Sequence, residues 1–327
     1  MTSKRGMFMT ESIASLGSQL AKLHQRVDNA EIFQSLYHRV GALTEQVPIQ
    51  KKTSYAPPAD DRIFIRQALP VIEAQIKAQH PLDQDQMQSL IYHLASVSRS
   101  ARERSRQAIN DLLADQLIDP TETAGWTDYL LQDEILYAHV LEPKNQAVFL
   151  RSSAVSMLRS LLMADRYGYF FLTDEDLQKI IDKIALLVLL EKDTRGFVGR
   201  QGWAHMFYEL PSLFNELTER NELLRGDHIF MMTVLLERYR RLKTPLEMGE
   251  QNEVADYLAR LMKRHRLYQD YFLMELRDWR QWLDQQENVV NEGDWHLFFN
   301  YQRLMNALLI TKDLPLKVAS EIYKKEI

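Results

Sequence analysis

What most constrains this chain is the rhythm of its apolar residues. They recur at three- and four-residue steps in one segment after another, and never settle into the alternation of a half-buried strand. Ile13, Leu16, Leu20, Leu23 and Val27 keep that spacing, and so do Trp203, Phe207, Leu210, Phe214 and Leu217. The punctuation agrees with helices. Asp83 with Gln86 has the form of a capping box, and Asp119 precedes a proline suited to the first helical position. Thr173 opens a run of three acids favourable to a helix dipole, and Asp227 and Asp294 each follow a glycine and open another apolar run. With Gly 11 and Pro 10 of 327 residues, turn formers are fewer than average, which suits long helices. The fold class that follows is all-α. Helix, short turn and helix in succession predict hairpins stacked as an α-solenoid, a HEAT- or armadillo-like superhelix with one broad concave surface.

Residues 1–50 read as a separate helical hairpin, with Ile32, Phe33, Leu36, Tyr37 and Val40 as its second stripe. Two amphipathic helices of this kind pack on each other or on the body of the protein, or offer a seam for a homodimer through residues 1–50. Residues 51–60 follow as a linker, where Pro57-Pro58 blocks helix. The solenoid-like domain, 61–327, is then expected to fold without the hairpin. The net charge of −5 gives no general drive towards nucleic acid or anionic lipid. The basic runs at Arg99–Arg106 and Arg260–Arg266 carry interleaved apolar residues, as solvated faces of amphipathic helices do. Tyr268, Tyr271, Phe272, Trp279 and Trp282 form an aromatic-rich helix, by default a core element. The absence of Cys rules out disulfides, thiolate catalysis and Cys-ligated metals. Glu11 interrupts the segment after Lys4 and Arg5 before a signal-peptide core develops, and no apolar run reaches the ~18–20 residues needed to span a bilayer. A cytoplasmic protein is expected.

The candidate site lies between two apolar helical runs, from Glu191 to Glu209. Ile180 to Leu190 is apolar almost all round and predicts a buried helix. Gly196, Gly199 and Gly202 then let the chain turn, and a second helix is expected from Trp203, with a kink at Pro211. On such a helix Trp203 faces the core while His205, Glu209, Ser212 and Glu216 lie roughly opposite, with His205 directed towards a polar cleft. His205 and Glu209 could ligate a metal or act as a base and its orienter, or His205 could be structural. No metal is assigned, because the familiar zinc helices carry two histidines. Arg195 has the planar fork that pairs with Asp193 or Glu191 to lock the loop, or that binds an anion beside a helix start. Arg151 is expected to reach a buried carboxylate, Glu191 or Asp193. The glycine spacing is not that of a phosphate loop, and no cofactor is assigned.

These residues also carry a resemblance. Glu-x-Asp-x-Arg-Gly-Phe-Val-x-x-x-Gly-Trp-Ala-His at 191–205 resembles the signature of the domain-of-unknown-function family numbered 2785, bacterial helical proteins without an assigned activity. Val148-Phe149-Leu150-Arg151-Ser152-Ser153, Phe171-Leu172-Thr173 and Gly249-Glu250 fit its further positions. The family has a second histidine four residues after the first, and Glu209 stands there in this chain. The resemblance implies an α-helical fold and no particular chemistry.

Two function classes remain from the sequence. One is an interaction module whose concave polar surface around His205 takes a protein, peptide or small-molecule ligand. The other is an enzyme with a polar centre at Glu191, Asp193, Arg195, His205 and Glu209. Solenoids usually bind and no complete catalytic set is present, so the first is preferred.

Overall fold

The computed structural model describes residues 4–286 and 289–324, so the first three residues of the expected hairpin lie outside the description. The regular elements among the described residues are helices. The chain opens with α1 (Lys4–Asp28) and α2 (Leu36–Glu45), and then α3 (Asp61–Ile63) passes through a π-turn into α4 (Leu69–Lys77). Next come α5 (Gln84–His93), α6 (Arg99–Ala114), α7 (Pro120–Leu130) and α8 (Asp133–Leu136). Helix α9 (Val148–Ala164) ends in a second π-turn, Asp165–Tyr169, ahead of α10 (Asp174–Leu190) and α11 (Met206–Thr218). The series closes with α12 (Arg225–Tyr239), α13 (Glu250–Arg264), α14 (Arg266–Asp284), α15 (Glu292–Ile310) and α16 (Leu316–Tyr323). Among the described residues the only extended pairing is an isolated antiparallel bridge between Phe197 and Trp203. None of the described helices is long and apolar enough to cross a membrane.

The caps at Asp83 and Asp119 are formed, while the helices expected to open at Asp227 and Asp294 begin two residues earlier, at Arg225 and Glu292. Asp83 accepts from the Gln86 amide at 2.8 Å while the Gln86 side chain accepts from the Asp83 amide at 3.0 Å. Asp119 accepts from the Thr121 amide at 2.8 Å, with Pro120 as the first helical residue. These bonds satisfy amide donors that have no partner inside the helix.

The chain divides into two compact units. The first combines Met1–Pro48, Asp174–Lys192 and Leu217–Ile327, and the second combines Ile49–Thr173 and Asp193–Glu216. In the first unit α1 and α2 pack on α10 and α12, while α13 packs on α14 and α15. The apolar seam of α1 is buried, and so are Leu36, Tyr37 and Val40 of the second stripe on α2 and Ile32 ahead of it, whereas Phe33 is exposed. The N-terminal hairpin therefore groups with α10 and α12, because an apolar seam is stabilised by whichever apolar faces cover it. The apolar residues of α10 from Ile180 to Leu190 are buried as the composition predicts, and Arg238 of α12 donates to the Val188 carbonyl at 3.3 Å and to that of Leu189. Those carbonyls lie at the α10 C-terminus, where intrahelical donors run out. Tyr268, Tyr271, Phe272 and Trp279 of α14 are buried, whereas Arg260, Lys263, Arg264 and Arg266 are exposed, as the amphipathic pattern requires.

In the second unit α6 is central, with α4, α5 and α9 packed on it, and α7 and α8 packed on α9. Residues 51–60 form no regular structure through Asp60, as the two prolines require. They are nevertheless tied down. The Thr53 amide and hydroxyl each donate to Glu142 at 2.7 Å, and the Tyr55 hydroxyl donates to the Ala95 carbonyl at 2.9 Å. Burial alone would raise the Glu142 carboxyl, but these bonds and His139 hold it below its ordinary range.

Candidate functional site

The stretch after α10 folds back on itself before α11 begins. The His205 amide donates to the Arg195 carbonyl at 3.0 Å, Ala204 to Gly196 at 2.9 Å and Val198 to Gly202 at 2.8 Å. A short 3-10 turn at Gly199–Gln201 forms the tip. Gly202 has φ +81°, and a Cβ there would stand 2.9 Å from the Arg99 side chain, so glycine is needed both for the turn and for the approach of α6.

Two arginines fix this loop. Arg195 Nε donates to the two Asp193 oxygens at 2.9 and 3.1 Å, and Arg195 Nη2 donates to the Asn145 carbonyl at 2.6 Å. The Arg195 amide also donates to Asp193 at 3.1 Å, so the pair closes a local ring as well as an ion pair. Arg102 reaches the loop from α6, where Nη2 donates to the carbonyls of Gln201 at 2.7 Å and Trp203 at 3.3 Å. Its Nη1 donates to the Ser96 carbonyl at 2.8 Å, and the guanidinium lies 4.3 Å over the Phe149 ring. Only 5% of Arg102 is exposed, and burial lowers its guanidinium to about 10.

The loop presents rings beside the exposed Arg200 at its tip. Phe197 and Trp203 are 44% and 39% exposed, and their rings meet edge to face at 5.1 Å. Trp203 stacks on His205 at 4.3 Å, and His205 stacks on Tyr208 at 4.8 Å with the planes 6° apart. These are favourable arrangements for aromatic quadrupoles.

This geometry corrects the expected helix start. Helix α11 begins at Met206, not Trp203, because His205 adopts a left-handed backbone with φ +53°. The His205 carbonyl then accepts the first bonds of α11, from Tyr208 at 3.0 Å and Glu209 at 3.1 Å. Since Trp203 and His205 lie outside the helix, the 3.6-residue period does not separate them, and their rings stack. Trp203 is accordingly half-exposed rather than buried, whereas Phe207, Leu210, Phe214 and Leu217 keep the apolar face of α11 and are buried. Pro211 lies within α11, which runs through it without ending.

The six candidate residues are placed differently from one another. Asp193, Arg195 and His205 belong to the loop. Glu209 is buried on α11 and faces Arg106 Nη1 at 3.5 Å, and farther along α11 Glu216 accepts from Arg166 at 2.9 and 3.2 Å. Arg151 is buried in α9, and its Nη1 donates to the Ala138 carbonyl at 2.6 Å. Glu191 belongs to the first unit, is fully buried, and accepts from the Lys192 amide at 3.0 Å.

Two polar residues were not singled out by the sequence reading. The basic run at Arg99–Arg106 suggests a solvated face for Arg102, yet it lies three residues before Ser105 and seven before Ile109, both buried on α6. An arginine in line with an inward stripe was the available signal. His24 is the other, set between Leu20 and Val27 on the α1 seam. Its Nδ1 lies 2.7 Å from Asp182 and its Nε2 lies 2.8 Å from Asp227 and 3.5 Å from Asp28, while the ring stacks on Phe230 at 4.2 Å. Burial alone would lower His24, but the hydrogen bonds to Asp182 and Asp227 outweigh it and push the imidazole up to about 9. His24, Asp28 and Asp227 offer ligand atoms within 4.8 Å of one another. With each ring nitrogen donating to a carboxylate, however, the imidazolium is itself the cation of the cluster.

The family described as "Protein of unknown function (DUF2785)" covers residues 136–310, a span that includes the whole loop. No curated protein and no solved structure matches the chain significantly.

Proposed function

The chain belongs to the DUF2785 family, and from its own geometry we propose that it is a binding module whose recognition surface is the ring stack of Phe197, Trp203, His205 and Tyr208. One observation carries this reading: two large aromatic side chains are left in solvent on a loop whose backbone is pinned at both ends. A loop held this way loses little conformational freedom on binding, which is the advantage of preorganisation. Exposed Trp and Tyr are the side chains that most often anchor a partner. The ligand class that fits is a peptide or small molecule presenting a planar or prolyl ring to the stack.

The catalytic alternative with a centre at Glu191, Asp193, Arg195, His205 and Glu209 has less support. Asp193 is engaged by Arg195 and Glu209 faces Arg106, so both carboxylates are used in holding the loop and α11. A HEAT-like stacking of hairpins suits the binding role, and packing of α5 on α6 and of α13 on α14 supports it within each unit.

The test is Trp203→Ala, with Phe207→Ala as the control for core damage. Trp203→Ala should lower stability by about 1 kcal/mol or less, as for partly exposed sites, against ~3–5 kcal/mol for the buried Phe207→Ala. The indole N–H resonance of Trp203 should shift in the wild type when proline-rich and aromatic peptides, nucleosides and sugars are titrated in turn. Unfolding of Trp203→Ala would make the ring structural and end the proposal. A Trp203 resonance unmoved by the whole panel would count equally against it.

A further inference from the structure

The second unit holds a cavity of about 460 Å³, lined from α6, α9 and the π-turn that follows α9. Its volume is in the range of small-molecule sites. Leu113, Met163 and Tyr167 give it an apolar wall, and Asn110, Gln116 and Arg159 give it polar groups. The π-turn shapes one end. Gly168 has φ +156°, and a Cβ there would meet Gln116 Nε2 at 2.7 Å, so the absence of a side chain lets Gln116 lie against the turn. Asp165 holds the turn from the other side by accepting from the Phe171 and Leu172 amides at 2.5 and 2.8 Å.

The arginine in this cavity differs from its neighbours. On α6, Arg99 and Arg104 pair with Glu103 and Glu73, Arg106 faces Glu209, and Arg102 donates to carbonyls. Arg166, on the π-turn, pairs with Glu216 and lies 4.4 Å over the Tyr167 ring. Arg159 Nε is buried without a hydrogen-bond partner, and among the described residues no carboxylate pairs with its guanidinium. Asn110 Oδ1, also on the cavity wall, is likewise buried and without a partner. A buried donor and a buried acceptor left unmatched on facing helices are costly unless something supplies both bonds.

We propose that this cavity binds a small monocarboxylate with an apolar body. Its carboxylate takes the Arg159 fork, and an N–H or O–H of the same molecule donates to Asn110. The body lies along Leu113, Met163 and Tyr167. A single guanidinium matches one negative charge and the two oxygens of a carboxylate. A phosphate dianion would call for a second cation, and the nearby Arg106 and Arg166 already face glutamates. This site is separate from the ring stack, so either can fail without the other.

The test uses the full chain with 3-(4-hydroxyphenyl)propanoate, whose carboxylate and phenol O–H match Arg159 and Asn110, its neutral amide and inorganic phosphate as probes, read by calorimetry and by the Arg159 Nε–H resonance. The acid should saturate one site per chain and shift that resonance, and the amide should bind about tenfold more weakly, as expected for loss of a charge-assisted pair. Arg159→Gln should bring the acid down to the affinity of the amide while leaving the melting temperature unchanged, because no partner within the protein is lost. Failure of the wild type to saturate with the acid at millimolar concentration would overturn the proposal. So would equal binding of the acid by Arg159→Gln, displacement of the acid by stoichiometric phosphate, or a marked fall in melting temperature in Arg159→Gln.

Discussion

His24 gives a prediction whose size follows from its surroundings. The residue is 3% exposed and faces Asp28 on α1, Asp182 on α10 and Asp227 on α12, with Asp227 fully buried. Its folded-state value is raised from 6.5 to about 9, so the folded protein holds this proton more tightly than the unfolded chain. The corresponding stability is fully present below pH 6.5 and is lost as pH rises through about 9. The shift corresponds to about 3 kcal/mol at most, and less where Asp182 reaches solvent. Other buried groups also titrate there, since Lys192 is lowered to about 8 and Glu275 is raised to about 8, both mainly by burial. Lys192 gains the fold stability as pH rises above 8, and Glu275 loses it stability as pH rises towards 8. The difference between wild type and His24→Gln removes both. Asp28, raised to about 6 by burial even with His24 beside it, still titrates at the lower end of this window, so the comparison is read on its alkaline side. Near neutral pH His24→Gln should cost ~3–5 kcal/mol, the penalty for leaving buried carboxylates without their cation. Urea denaturation of both proteins in steps from pH 6.5 to pH 9.5 should show the gap shrinking by about 3 kcal/mol, with m unchanged. A gap that stays constant across those steps would refute the imidazolium assignment.

Two further outcomes are expected. Arg102→Met should destabilise the protein by ~2–4 kcal/mol, because carbonyls of Ser96, Gln201 and Trp203 lose their donor. Hydrogen exchange should then quicken at the amides of Val198, Ala204 and His205, and unchanged protection there would show that the loop does not depend on α6. Deleting residues 1–48 should expose the faces of α10 and α12 that α1 and α2 cover, at ~1.5–3 kcal/mol for each large apolar side chain uncovered. A truncated chain that stays monomeric and melts with the wild type would show that the hairpin is dispensable.

The helices were legible in the sequence because their signals are local. A cap bonds to an amide two or three residues away, as Asp119 and Asp83 do, and an apolar stripe repeats within one turn of helix. The same locality revealed the pairing of Asp193 with Arg195, two residues apart. Where α11 begins was decided otherwise. The residues at 203–205 continue the apolar rhythm of the helix, but the backbone pairs instead with 195–196, and Arg102 takes the carbonyls of Gln201 and Trp203 from about a hundred positions away. That choice turned Trp203 outward and stacked it on His205. Likewise the spacing of α1 marked His24 as inward-facing, but only packing against α10 and α12 supplied the carboxylates that keep it charged. Periodicity fixes which side of a helix is covered. The partner that covers it, and hence the charge a buried group can hold, depends on contacts between segments far apart in the chain, and these only the tertiary structure decides.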